Sequence, residues 1–191
     1  MTIRDPARTP LPVLLPLFLL NGCAALHPRD PAQPLPHFFQ VDASLSRGGQ
    51  PQPEGFRQLA AMGVKTVISL RAEDARRREH ERQLVESLGM RWVSLPMHSY
   101  WRPSHDQVKT FLRIVSDPNR QPVFVHCHKG KDRTGALIAV YRIVRQGWSP
   151  ARAYQEARSR GLSWWNPFLR YLILHEARRG YAHALERALT S

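Results

Sequence analysis

Cysteine is nearly absent from this chain: its 191 residues contain two, Cys23 and Cys127. A disulfide framework is therefore excluded, and Cys127 has no partner at all if Cys23 is otherwise engaged. Acidic residues are also scarce, with 15 Asp and Glu against 28 Lys and Arg, for a net charge of +13. Such a field favours phosphorylated substrates, anionic lipid surfaces or nucleic acid, and says nothing about fold. Nucleic acid is not expected as a partner, because no zinc-ligand spacing, recognition helix or aromatic ribonucleoprotein pattern accompanies the charge. The one dense basic run, Arg76-Arg77-Arg78, reads as a solvated helix face. Repeats and low-complexity segments are lacking, and 42% hydrophobic residues suffice for one ordinary core.

Long apolar runs are missing as well. The stretch from Leu11 to Leu20 is about half of the ~20 residues that cross a bilayer, and Pro12 and Pro16 interrupt it. With Arg4 and Arg8 before it, residues 1–22 read as an export signal. Leu20-Asn21-Gly22-Cys23 resembles the lipobox of bacterial lipoproteins, which implies cleavage before Cys23 and acylation of its thiol. Residues 23–37, with four prolines, are expected to form an extended tether of about 3.1 Å per residue ahead of a domain at 38–191. The expected location is the periplasm-facing side of a bacterial envelope, lipid-anchored at the outer membrane, since Ala24 does not resemble an inner-membrane retention signal. Asn21 is unusual in a lipobox, which keeps a soluble periplasmic form as the alternative.

From about residue 38 onward apolar runs alternate with helical patterns, predicting an α/β domain with a central, mostly parallel sheet flanked by helices. Residues 38–41 and 45–47 read as short edge strands, 64–70 and 122–126 as buried strands, and 91–95 as another strand. Helices are expected at 53–62, 74–88, 104–116, 134–146, 150–160 and 167–188. Ser104 with Gln107 forms a capping box, and Ser149-Pro150 and Asn166-Pro167 each set an N-cap before a proline. Trp101, Trp164 and Trp165 are expected chiefly as buried packing residues, with a place at a pocket mouth as the alternative.

The segment His126-Cys127-His128-Lys129-Gly130-Lys131-Asp132-Arg133-Thr134-Gly135 lies between a predicted strand and a predicted helix, which is an anion-binding arrangement. Attack on a phosphate monoester needs a thiolate, a cradle for phosphoryl oxygens and a cation that grips two of them. Cys127 sits where the helix dipole and Arg133 favour the thiolate form. Gly130 lets the backbone curl so that its amides turn inward. Arg133, six residues on, supplies a planar fork that lysine lacks. Thr134 is placed to donate its hydroxyl to the sulfur, and His126 to orient the loop. His128, Lys129, Gly130, Lys131, Asp132 and Thr134 make up the expected substrate-binding set.

This pattern resembles the cysteine-dependent tyrosine and dual-specificity phosphatase superfamily, whose signature is HC, five residues, R, then S or T. Leu45-Ser46-Arg47-Gly48-Gly49-Gln50-Pro51, Gly63-Val64-Lys65-Thr66-Val67-Ile68-Ser69-Leu70-Arg71 and Gly147-Trp148-Ser149 resemble its compact bacterial and plant-type branch over about residues 44–160. The resemblance implies phosphomonoester hydrolysis without metal or organic cofactor. It implies a phosphorylated protein as substrate, or else a phosphorylated small molecule or lipid head group, because Lys131 matches a lysine of phosphoinositide-directed members. It also implies a general acid near residues 98–101, where this sequence has no carboxylate. Asp106 is the preferred substitute, Asp132 the alternative, and His98 a third candidate. A non-catalytic phosphate-binding module, a rhodanese-type sulfurtransferase and, last, a structural envelope lipoprotein with an incidental loop are the competing classes.

Overall fold

The structure, a computed structural model, describes residues 33–72, 74–98 and 100–177. The export signal, Cys23, most of the tether and the part of the expected last helix from residue 178 to 188 lie outside them. No helix among the described residues is long and apolar enough to cross a membrane.

One mixed sheet organises the domain: β1 (Phe39–Gln40), β2 (Leu45–Gly48), β3 (Thr66–Arg71), β4 (Arg91–Met97) and β5 (Val123–His126), in the order β1-β2-β5-β3-β4. Among the described residues only the β1–β2 pair is antiparallel. Helices α1 (Pro53–Ala61) and α2 (Ala75–Ser87) form one layer; α3 (His105–Ser116), α4 (Asp132–Gln146), α5 (Pro150–Ser159) and the short α6 (Pro167–Tyr171) form the other. A π-turn, Leu172–Glu176, continues α6.

Side chains that alternate along a strand sort into the two layers. Val123 and Val125 of β5 join the cluster with Phe111 and Leu112 of α3 and Leu137 and Ile138 of α4. Phe124 between them packs with Phe56 and Leu59 of α1 and Val85 of α2. Burying each such side chain contributes roughly 1.5–3 kcal/mol. The Ser104–Gln107 capping box opens α3 as the sequence predicts. Gly147, with φ of +67°, ends α4 in the left-handed conformation.

Three expectations change. β2 is interior rather than an edge, because it pairs with β5 through all four of its residues and β1 covers its other side. The end of the expected tether is packed rather than free: the Pro34 and Pro36 carbonyls accept from Gln52 N–H and Gly49 N–H at 3.0 and 2.7 Å, and Leu35 joins the α1–α2 cluster. Trp101, Trp164 and Trp165 are not core residues; they are 64%, 72% and 52% exposed.

Candidate active site

The alternation of β5 decides which way the loop residues face. His126 points into the α1–α2 layer, stacked on Phe124 with ring centroids 5.8 Å apart, whereas Cys127 joins the opposite cluster. The chain then turns into α4, whose first turn already holds Asp132 and Arg133, two residues earlier than the sequence suggests. The Cys127 thiol, 2% exposed, accepts from Gly130 N–H at 3.2 Å. Gly130 has φ of +70°, and a Cβ on it would lie 2.4–2.5 Å from Gly48 and Gly49 backbone atoms. No other residue type fits such an approach.

The segment after β2 fixes the loop from outside. Gln50 N–H donates to the His128 carbonyl at 2.9 Å, and buried Arg47 donates through Nη2 to the Gly130 carbonyl. Burial pushes the Arg47 pKa down to about 10, against the upward pull of Cys127. Those bonds take the His128 and Gly130 carbonyls outward while Gly130 N–H turns inward to the sulfur, the sense of backbone that suits an anion. Arg133, 5% exposed, donates through Nη1 to the Met97 and Leu70 carbonyls at 3.1 and 3.3 Å, so the ends of β4 and β3 seat its guanidinium.

A cavity of about 320 Å³ opens over the thiol, lined by Tyr100, Cys127, His128, Lys129, Asp132, Arg133, Ser163 and Trp165. The structure thus brings Cys127, His128, Lys129, Asp132 and Arg133 to one pocket. Lys131 does not line it; its aliphatic stem packs beside Gly161. Thr134 does not make the hydrogen bond expected to the sulfur: its hydroxyl is buried and has no partner, and Gly130 N–H takes that place.

Of the three candidate acids, only Asp132 reaches the pocket, where its Oδ1 accepts from Ser163 N–H at 2.6 Å. Asp106 is exposed in the first turn of α3, a position that the helix dipole favours for any carboxylate, and is not part of the lining. His98 is exposed and also outside it. Among the described residues no group of three His, Cys, Asp or Glu is arranged to hold a metal ion.

Beneath the loop lies a residue that no motif marked. Glu81 of α2, 8% exposed, faces His126 Nε2 at 3.1 Å and accepts from Trp92 Nε1 at 2.8 Å and Gln50 Nε2 at 2.7 Å. Burial raises its pKa, but the His126 bond and charge and the Trp92 and Gln50 bonds outweigh that and bring it down to about 2. Glu81, Leu84, Val85 and Leu88 share one face of α2 at helical spacing. A carboxylate on the apolar face of a charged helix was the available signal.

A strand-ending thiol, an arginine six residues on and inward backbone donors at a helix start define a cysteine-dependent phosphatase site, and the comparisons agree. The family model described as DSP-PTPase phosphatase fused to NAD+ kinase matches residues 38–163. The dual specificity protein phosphatase TpbA of Pseudomonas aeruginosa is 33% identical over 79% of this chain and 71% of its own. Inositol diphosphatase DSP3 of Arabidopsis thaliana is 27% identical over 72% and 69%. The TpbA crystal structure superposes with a TM-score of 0.64 at 27% identity, covering 81% of this chain and 91% of that one, and TpbA has also been solved with phosphotyrosine bound. The catalytic core of the yeast phosphatase SIW14 shares the fold, with a TM-score of 0.69 at 24% identity and coverage of 83% and 93%. The chain belongs to the dual-specificity branch of the cysteine-dependent phosphatases.

Proposed function

We propose that this phosphatase is exported and hydrolyses phosphorylated protein through a phosphocysteine on Cys127, with Arg133 binding the phosphoryl group and Asp132 moving the proton. The observation that carries this reading is the convergence of Cys127, Arg133 and Asp132 on one pocket under two aromatic walls, Tyr100 and Trp165. The Sγ thiolate attacks phosphorus, the bond to the leaving oxygen breaks, and Asp132 gives that oxygen its proton. Water then attacks the phosphocysteine, Asp132 takes its proton, and inorganic phosphate leaves with the thiolate restored. The Arg133 fork stabilises the equatorial oxygens in both steps. The chemistry requires no metal or organic cofactor.

Tyr100 and Trp165, ring centroids 6.0 Å apart, offer an apolar face to an aryl phosphate above the thiol. That face and the phosphotyrosine complex of the Pseudomonas relative support phosphotyrosine protein as substrate. Lys129 in the pocket and the inositol diphosphatase name of the plant relative support a second reading, a phosphorylated inositol or lipid head group. Residues 1–22 and Cys23 support export and a lipid anchor in the bacterial envelope, with a soluble periplasmic form as the alternative.

A panel of phosphotyrosine and phosphothreonine peptides, phosphoinositides and inositol phosphates tests the substrate. The expected order of kcat/KM puts phosphotyrosine peptides first. Preference for inositol phosphates would move the assignment to the second reading. Asp132→Asn is expected to slow turnover of poor leaving groups by about 10²-fold or more while Asp106→Asn leaves it unchanged; the reverse would return the proton donor to Asp106.

A further inference from the structure

The hydrogen bonds beneath the loop form a chain whose polarity is set at its ends. Arg71 Nη1 donates to Gln50 Oε1 at 2.8 Å, since a guanidinium has only donors. Gln50 therefore presents its amide Nε2 to Glu81 Oε2 at 2.7 Å, and Trp92 Nε1, another donor, bonds Oε1 at 2.8 Å. Both oxygens of Glu81 are acceptors. His126 Nε2 then meets a carboxylate at 3.1 Å, while Nδ1 meets the Cys127 carbonyl, which only accepts, at 3.2 Å. Each ring nitrogen faces an acceptor, the arrangement that suits a ring carrying a proton on both. The ring is fully buried between Phe124 and Phe56, where a charge persists only when paired.

We propose that Glu81 is a positioning residue for the phosphatase reaction: it keeps His126 protonated on both ring nitrogens, and so holds the Cys127 carbonyl in place and a positive charge one residue from the nucleophile. The proposal rests on Cys127 being that nucleophile. The charged and titratable groups around the pair are Arg71 at the end of β3, acting through Gln50, and Arg77, Arg78 and His80 of α2, which line one cavity with Glu81 and Arg71; Arg47 on β2 and Arg133 on α4 bond the loop and the strand ends beside it. Phe56 on α1, Phe124 on β5 and Trp92 on β4 complete the surroundings without charge. The ring meets the Cys127 carbonyl through Nδ1 and the carboxylate through Nε2, so the pair acts as a dipole with its positive end toward Cys127. Losing Glu81 alone would favour the thiolate if His126 kept its charge. Losing both charges together removes the dipole and disfavours it. The direction of the change therefore reports which event occurs.

Two measurements decide the matter. Nitrogen-15 spectra of histidine-labelled protein should show His126 protonated on both nitrogens across neutral pH. A single neutral tautomer there would overturn the proposal without any variant. In Glu81→Gln, which keeps size and an acceptor, the pH profile of Cys127 alkylation by iodoacetamide should move upward, with about tenfold slower alkylation below the midpoint, and His126 should lose one proton. A profile that stays in place or moves downward would overturn the proposal. Should Glu81→Gln fail to fold, Trp92→Phe removes one bond to the same carboxylate and is expected to shift the profile the same way by less; no shift would count against the chain. Alkylation needs no turnover, so an inert enzyme that still shows both effects would contradict the phosphatase assignment, and the positioning role with it, while leaving only the coupling of Glu81 and His126 to the Cys127 thiol.

Discussion

Replacing Gly130 by alanine adds one methyl group where the catalytic loop touches the chain leaving β2. At φ of +70° the backbone is left-handed, which costs a residue with a Cβ about 1–2 kcal/mol. The added carbon would also lie 2.4 Å from Gly48 C, 2.5 Å from its oxygen and 2.5 Å from Gly49 N. Backbone atoms cannot rotate aside, so the segments must part, at a further cost of about 1–3 kcal/mol. Gly147 is the matched control: its φ is +67° and nothing lies within 4 Å of its would-be Cβ. Urea unfolding should therefore show Gly130→Ala losing about 2–5 kcal/mol and Gly147→Ala only about 1–2 kcal/mol. Turnover should separate the two further, because only Gly130 donates to the Cys127 sulfur and gives its carbonyl to Arg47. Equal losses of stability in both variants would refute the close approach of the two segments.

Acid sensitivity follows from Glu81. Its carboxyl falls from the ordinary 4.5 to about 2 on folding, so it stabilises the fold above pH ~4.5 by about 3 kcal/mol, and that contribution is lost as pH falls toward 2. Urea unfolding from pH 6 to 2 should show a shallower decline in Glu81→Gln than in the parent; parallel declines would contradict this. At the pocket mouth, Trp165→Ala should lower kcat/KM for phosphotyrosine peptides by roughly tenfold and leave small inositol phosphates unaffected. An equal loss on both substrates would assign Trp165 a structural role instead.

What could be read from the sequence was local. The loop from His126 to Gly135, the capping box at Ser104 and the proline-marked helix starts depend on neighbours a few residues apart, and their chemistry is explicit in the residue types. What could not be read depended on docking. Glu81 and His126, 45 positions apart, are bridged only once α2 packs over β5, and the interior place of β2 is a matter of strand order. The sequence left the proton donor open because both Asp106 and Asp132 begin helices, and only the seating of α4 on the sheet brings Asp132, and not Asp106, into the lining of the Cys127 pocket. The tryptophans were expected chiefly in the core because hydrophobicity marks burial on average; here Trp165 takes the other place weighed for it, in the wall of the pocket.

The most direct test of the account is rapid quenching of a reaction with para-nitrophenyl phosphate, followed by mass spectrometry of the protein. The account predicts one phosphoryl group on Cys127, no adduct and no turnover in Cys127→Ser, and loss of turnover in Arg133→Lys although its charge is kept. A phosphoryl group on any other residue, or turnover that survives Cys127→Ser, would contradict it.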